Sequence, residues 1–192
     1  MPLTPSASHV LAELSRADAN QHAAGMDWYA DAHSLALTLN SRNVAEASAV
    51  IAALSPQLSW DRNVVLAKRA YDGTLDGGCL PASIVKAHRI LAGETPLDVL
   101  GGLKVRSFYA NIVDPTDSIT VTVDRHAVDV AVARRLGKAS PGLTPKRYAA
   151  WSAAYREAAL DKGMLPQQMQ AITWTSWRER WAWRDKELKA AA

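Results

Sequence analysis

The residues best suited to chemistry lie between Leu100 and Leu136. Asp124 stands where a β-branched run, Ile119-Thr-Val-Thr-Val123, gives way to a helical pattern carried by Ala127, Val128, Ala131, Val132 and Leu136. An aspartate at such a junction is a favoured helix N-cap. A carboxylate at the rim of a core can also stabilise the positive charge that develops on a sugar as an N-glycosidic bond breaks, or take a proton from attacking water. The two roles are compatible, because one oxygen can cap while the other faces a ligand. Upstream, Gly101-Gly102 precede a helical run at 104–113 with Val105, Phe108, Tyr109 and Ile112 on one face and Lys104, Arg106, Ser107 and Asn111 outside it. Glycines at a helix start let backbone approach an anion, the first amides point at it, and Lys104 and Arg106 add positive charge. That combination suits a phosphate; the same glycines also serve as a plain stop between two helices.

A second cluster lies near the C-terminal end. Trp174, Trp177, Trp181 and Trp183 fall close together, amid Arg178, Arg180 and Arg184. Trp174, Trp177 and Trp181 follow helical spacing and read first as a core seam. In the sharper reading an aromatic stacks on an extruded base while Gln170 reads its edge. Trp28, Tyr29 and Trp60 divide between the same two roles. His126 structures the helix start after Asp124, and His33 and His88 are isolated. With one cysteine, Cys79, the chain holds neither an internal disulfide nor a four-cysteine metal or iron–sulfur site.

The elements that must position these residues read as helices almost throughout. The expected spans are 5–17, 26–40, 44–54, 60–71, 81–92, a short turn from Pro96, 104–113, 124–136, 145–161 and 166–188. Asn43 with Glu46 carries a capping-box signature for the third. The chain has 192 residues, 48% hydrophobic and 21% charged, enough for one domain with a sizeable core. Its net charge of +3 is compatible with a nucleic-acid partner. There is no signal-like segment and no apolar run of membrane-spanning length, so the expectation is an intracellular, cytoplasmic protein. The expected fold is all-α, a single domain over 1–192. A helical core with the hairpin covers about 44–137; helices in 1–43 and 138–192 form the other lobe, with a cleft between them.

Three segments together resemble the HhH-GPD superfamily of DNA glycosylases, the endonuclease III-like proteins. The family pattern L-P-G-V-G-x-K-(T/S)-A, then V-D-x-H, is met by Leu100-Gly-Gly-Leu-Lys-Val-Arg-Ser-Phe108 and Val123-Asp-Arg-His126. Ala52-Ala-Leu-Ser-Pro-Gln57 is similar to the family's helix ending in L-S-x-Q, and Lys86-Ala87 to its K-A segment ahead of the hairpin. The resemblance implies a helix-hairpin-helix bundle that binds double-stranded DNA as a monomer, away from membranes. It implies Asp124 as the catalytic carboxylate, with Arg106 at the family's lysine position and Lys104, two residues earlier, as the other catalytic candidate. Gln57, Gly101, Gly102, Leu103, Ser107 and Arg125 are implied as DNA contacts, and Trp28, Trp60, Gln170 and Trp174 as the base pocket. No cofactor is required, and a monovalent cation at the hairpin carbonyls of 100–105 is implied.

The departures narrow the chemistry. Gly101 replaces the hairpin proline and Lys104 the last glycine. Arg106 stands where bifunctional members carry the Schiff-base lysine, and arginine cannot serve as that nucleophile. Lys104, two residues earlier, lies about 200° around a helix from it. The expectation is therefore a monofunctional N-glycosylase of base-excision type, without lyase activity. The alternatives are a phage-type enzyme that hypermodifies thymine or another base, a non-catalytic DNA-binding module, and a helical interaction protein with a coincidental motif.

Overall fold

The computed structural model describes the backbone of residues 3–190 and the side chains of residues 3–183. Arg184 therefore lies outside the described side chains. Every regular element among the described residues is helical. The helices are α1 (Ala7–Leu14), α2 (Ala19–Leu39), α3 (Val44–Leu54), α4 (Trp60–Tyr71), α5 (Pro81–Leu91), α6 (Pro96–Val99), α7 (Leu103–Val113), α8 (Arg125–Ala131), α9 (Pro145–Lys162) and α10 (Pro166–Ala190), with a 3-10 turn at Gly137–Ala139. The all-α expectation holds. None of the described helices is long and apolar enough to cross a membrane.

The chain forms two compact units, residues 29–115 and residues 1–28 with 116–192. In the first, α3 is the central element. Its residues from Ala47 to Leu54 are all buried, and it packs on α4, α5, α6 and α7. The alternation of alanine with Val50, Ile51 and Leu54 explains this: a helix apolar all round with small side chains lets neighbours approach from every side. Asn43 caps it, its Oδ1 accepting from the Glu46 amide at 3.0 Å. The reciprocal half of the capping box is absent, because the Glu46 carboxylate accepts instead from Asn40 Nδ2 and Tyr71 Oη. In the second unit α1, α8, α9 and α10 enclose a core of Val10, Val123, Val128, Tyr155, Met169 and Trp177 among others.

Three expectations are corrected. Helix α2 starts at Ala19 rather than near 26. Asp18 and Gln21 cap it reciprocally, each backbone amide donating to the other's side chain. Within the helix Gly25 is a contact point: a Cβ there would fall 2.5 Å from Ile172 Cα and backbone N on α10. Helix α8 stops at Ala131, well short of 136. The Arg134 amide reaches back to Asp129 O at 3.0 Å and the Ala133 amide to Val130 O at 2.9 Å, with Ala133 left-handed at φ 51°. This is a Schellman termination made without glycine. Finally, Asn111, expected outside the apolar face, is fully buried on α7, and Leu37, whose place in the 26–40 helical pattern makes it a candidate packing residue, is 41% exposed on α2. The neighbouring Ala36 takes the buried position in place of Leu37.

Gly25→Ala separates contact from propensity. In an exposed helix the change gains up to about 1 kcal/mol. Here it should cost about 1–3 kcal/mol by forcing α2 and α10 apart. A thermal melt of the variant should show a midpoint lowered by several degrees; an unchanged or raised midpoint would mean the close approach is unimportant.

Candidate functional site

The position of Asp124 is set by the extended segment before it and by α9. Val121 and Val123 are buried, so this stretch lies against the core. Tyr148 on α9 holds it from both sides: its hydroxyl donates to Val121 O at 2.9 Å and accepts from the Val123 amide at 3.0 Å. Farther along the same face, Tyr155 Oη donates to Ala127 O at 3.0 Å and Trp151 Nε1 to Val128 O at 3.4 Å. Burial pushes the Tyr155 phenol well above its ordinary range, so it remains a neutral donor. These aromatics of α9 thus clamp the backbone before and after Asp124.

Asp124 is the N-cap of α8. Its Oδ1 accepts from the His126 and Ala127 amides at 2.9 and 2.8 Å, and its Oδ2 accepts from Trp174 Nε1 at 3.0 Å. A carboxylate has roughly four lone-pair sites. The two on Oδ1 are taken and one on Oδ2 is taken, which leaves one direction on Oδ2 for a further donor. Asp124 as a residue is half-buried. Trp174 is itself fixed: the Arg178 guanidinium lies 4.2 Å over its ring, and His126 meets it edge-on with centroids 6.4 Å apart.

His126 completes the cluster. Arg125 Nε donates to His126 Nε2 at 3.3 Å, which assigns the proton of the neutral ring to Nδ1. Nδ1 is buried with no hydrogen-bond partner among the described residues. Burial lowers the imidazole pKa, the nearby Asp124 charge opposes that, and Arg125, Arg178 and Arg135 add to the lowering. A neutral imidazole among arginines leaves Asp124 as the acidic group of this cluster. On α8, the buried Asp129 accepts from the Leu136 amide at 3.1 Å and holds the chain's exit from the helix. Burial raises its carboxyl pKa.

The hairpin residues gather separately, in the unit of residues 29–115. Gly101, Gly102 and Leu103 are exposed, and Gly102 is the N-cap of α7 at φ 76° and ψ 142°, a conformation open only to glycine. Lys104 and Ser107 are half-buried in the first turns. Arg106 turns back onto the loop: Nε donates to Leu100 O at 2.8 Å and Nη2 to Leu97 O at 2.9 Å. It braces the hairpin through those carbonyls. Gln57 is exposed between α3 and α4 and left-handed at φ 64°, a cost that an exposed non-glycine residue bears only where the turn demands it. Trp28 and Trp60 are half-buried, on α2 and at the start of α4. Gln170 is only 5% exposed, one turn before Trp174 on α10.

The structure therefore brings Asp124, Arg125 and Trp174 into one cluster and Gly101, Gly102, Leu103, Lys104, Arg106 and Ser107 into another. Sequence reasoning missed Tyr148, Trp151, Tyr155, Asp129 and Arg178. The aromatic spacing 148, 151, 155 was a visible signal, but its hydrogen-bonding role was not. Trp177 and Trp181 follow the expected seam, with tilted rings 5.7 Å apart, whereas Trp174 spends its N–H on Asp124. No group of three or more potential metal ligands occurs among the described residues.

Tyr148→Phe should leave the Val123 amide without its partner inside the core and cost about 1–3 kcal/mol, read as a lowered denaturation midpoint. The lowered pKa of His126 means the unfolded chain binds its proton first as pH falls. Stability should therefore decline from about pH 6.5 downward until the folded-state pKa is passed. His126→Gln should flatten that limb of a stability-against-pH curve; an identical slope in the variant would show that His126 contributes nothing to it.

No curated protein and no solved structure matches this chain. Residues 3–181 match the model of a family of unknown function, DUF7178, and the chain belongs to that family.

Proposed function

We propose that this protein is a DNA glycosylase-like enzyme of the helix-hairpin-helix type, hydrolysing the N-glycosidic bond of an extruded base with Asp124. The observation that carries the reading is the Asp124 carboxylate itself. Two backbone amides and an indole N–H orient it, and one lone-pair direction stays open. Such a group is preorganised, which is the condition for electrostatic stabilisation of a developing charge.

In the proposed reaction the C1′–N bond breaks and its electron pair leaves with the base. Asp124 stabilises the cationic sugar. Water attacks C1′ and passes a proton to the carboxylate, and that proton then moves to the departing base nitrogen, leaving an abasic sugar, a neutral free base and an ionised Asp124. Arg106 is committed to Leu97 O and Leu100 O, and as an arginine it supplies no amine nucleophile. The reaction is thus assigned to water. A monovalent cation at 100–105 is redundant with that guanidinium, which already places positive charge on the Leu100 carbonyl; the fit to a cation is poor and no step is routed through one.

DNA contact is assigned to the exposed glycines of the hairpin, with Leu103, Ser107 and Lys104 beside them, to Gln57 and to Arg125. The left-handed φ of Gln57 supports a role for that residue, since strain at an exposed polar side chain is characteristic of contact sites. Trp174 is assigned the support of Asp124, with Trp28 and Gln170 of the same unit as further base-pocket candidates.

The test is mass spectrometry of duplexes carrying uracil, oxidised, alkylated or hydroxymethylated bases, incubated with wild type and with Asp124→Asn. Asparagine caps helices as well as aspartate does, so the variant keeps the cap of α8 and loses only the Trp174 N–H bond to Oδ2; a thermal melt checks that it folds. A free base released by wild type and reduced at least about a hundredfold in the variant is the expected result. A mass gain on an intact strand would replace the proposal with base modification. Salt-sensitive binding with no change of mass would reduce the protein to a DNA-binding module in which Asp124 only caps.

A further inference from the structure

Arg178 on α10 has no part in the reaction assigned to Asp124. It is exposed, and its guanidinium lies 4.2 Å over the Trp174 ring. The two residues are one helical turn apart and share a face of α10. Among the described residues Arg178 makes no hydrogen bond and no ion pair. Its neighbour Arg180 is employed differently, pairing with the buried Glu13. Stacking holds a guanidinium through its face and leaves its in-plane N–H groups directed outward, where they suit an oxyanion.

Asp124 does not take up that guanidinium. Its Oδ2 accepts from Trp174 Nε1 at 3.0 Å instead. An indole N–H lies in the plane of its ring, whereas the guanidinium lies over the ring's face. One ring therefore holds a carboxylate at its edge and a cation on its face, close together and unpaired. The Arg178 charge is felt at His126 in the same cluster. A bare guanidinium here opposes a positive charge developing beside Asp124, because like charges repel more strongly where water is partly excluded. A ligand anion seated on Arg178 removes that opposition. A nucleotide supplies both partners within one ribose: a sugar carbon for Asp124 and a phosphate for Arg178.

We infer that Arg178 binds the phosphodiester flanking the extruded nucleotide, so that the Asp124 site takes a nucleotide within a strand and not a free nucleoside. One guanidinium matches the single charge of a diester, and its N–H fork matches the two free oxygens. The inference rests on the assignment of Asp124 to an extruded nucleotide and adds the group that seats its sugar.

The test is fluorescence anisotropy of the full chain with a duplex carrying one tetrahydrofuran abasic analogue, a probe that does not depend on which base is the target. In two further duplexes a neutral methylphosphonate replaces the phosphate on the 5′ or the 3′ side of the analogue. Wild type should bind the abasic duplex more tightly than an intact one. Arg178→Gln should lose about tenfold on the abasic duplex. Its plot of log affinity against log salt should become shallower by about 1. One of the two methylphosphonates should weaken wild type to a similar extent and the variant no further. The inference is overturned if Arg178→Gln binds unchanged, or if neither methylphosphonate weakens wild type, an outcome that needs no variant. A loss of equal size in Arg178→Gln on all three abasic duplexes would also overturn it, because Arg178 would then only support Trp174. 2-Deoxyribose 5-phosphate competing as well as the abasic duplex would overturn the assignment to a strand. Equal binding of abasic and intact duplexes by wild type would overturn the assignment of Asp124 itself, and this inference with it.

Discussion

The unit containing Asp124 depends on side-chain hydrogen bonds made by α9 to backbone that is not its own. Tyr148 bridges Val121 and Val123, Tyr155 reaches Ala127, and Trp151 reaches Val128. An extended segment buried beside helices has no strand partner to satisfy its amides, and a buried amide without a partner is costly. The tyrosine hydroxyl solves this locally, acting as donor and acceptor at once. Once the segment is pinned, the start of α8 is pinned with it, and the direction of the Asp124 carboxylate follows.

Charge is arranged around that frame with few acidic groups. Asp124 is held by N–H donors, and the charges of Arg125, Arg135 and Arg178 are felt at the neighbouring His126. Glu13 is enclosed with Ser176 and Arg180. Asp129 is turned inward to the chain leaving α8. Each of these carboxylates is tied to a backbone or side-chain donor, as buried acidic groups must be.

The other unit uses a different device. There α3 is buried on all sides, and the loops around it carry the unusual backbone: Gly102 ahead of α7 and Gln57 after α3. Arg106 holds the Leu97 and Leu100 carbonyls with a fixed side-chain cation. A strained loop on a rigid helical base is a common way to present contact residues.

Local signals carried much of the architecture. The ends of α3 and α4, capped by Asn43 and Ser59, and the proline starts of α5, α9 and α10 were legible because caps and prolines act within one turn. Asp124 was legible as a cap for the same reason. The role of Gly25 was not legible, because it depends on the backbone of a distant helix packed against it. The length of α8 misled because its Schellman end uses an alanine, and only the surrounding contacts make that conformation tolerable. The sequence by itself determined the helical class, most element boundaries and the carboxylate at the start of α8, since these follow from periodicity and short-range hydrogen bonds. Tertiary structure alone decided that Trp174 donates to Asp124, that Tyr148 holds the segment before it, and that Glu13 gathers Arg180 on a distant helix. Those pairings join residues far apart in the chain, and no local pattern encodes which distant side chain will complete a hydrogen bond.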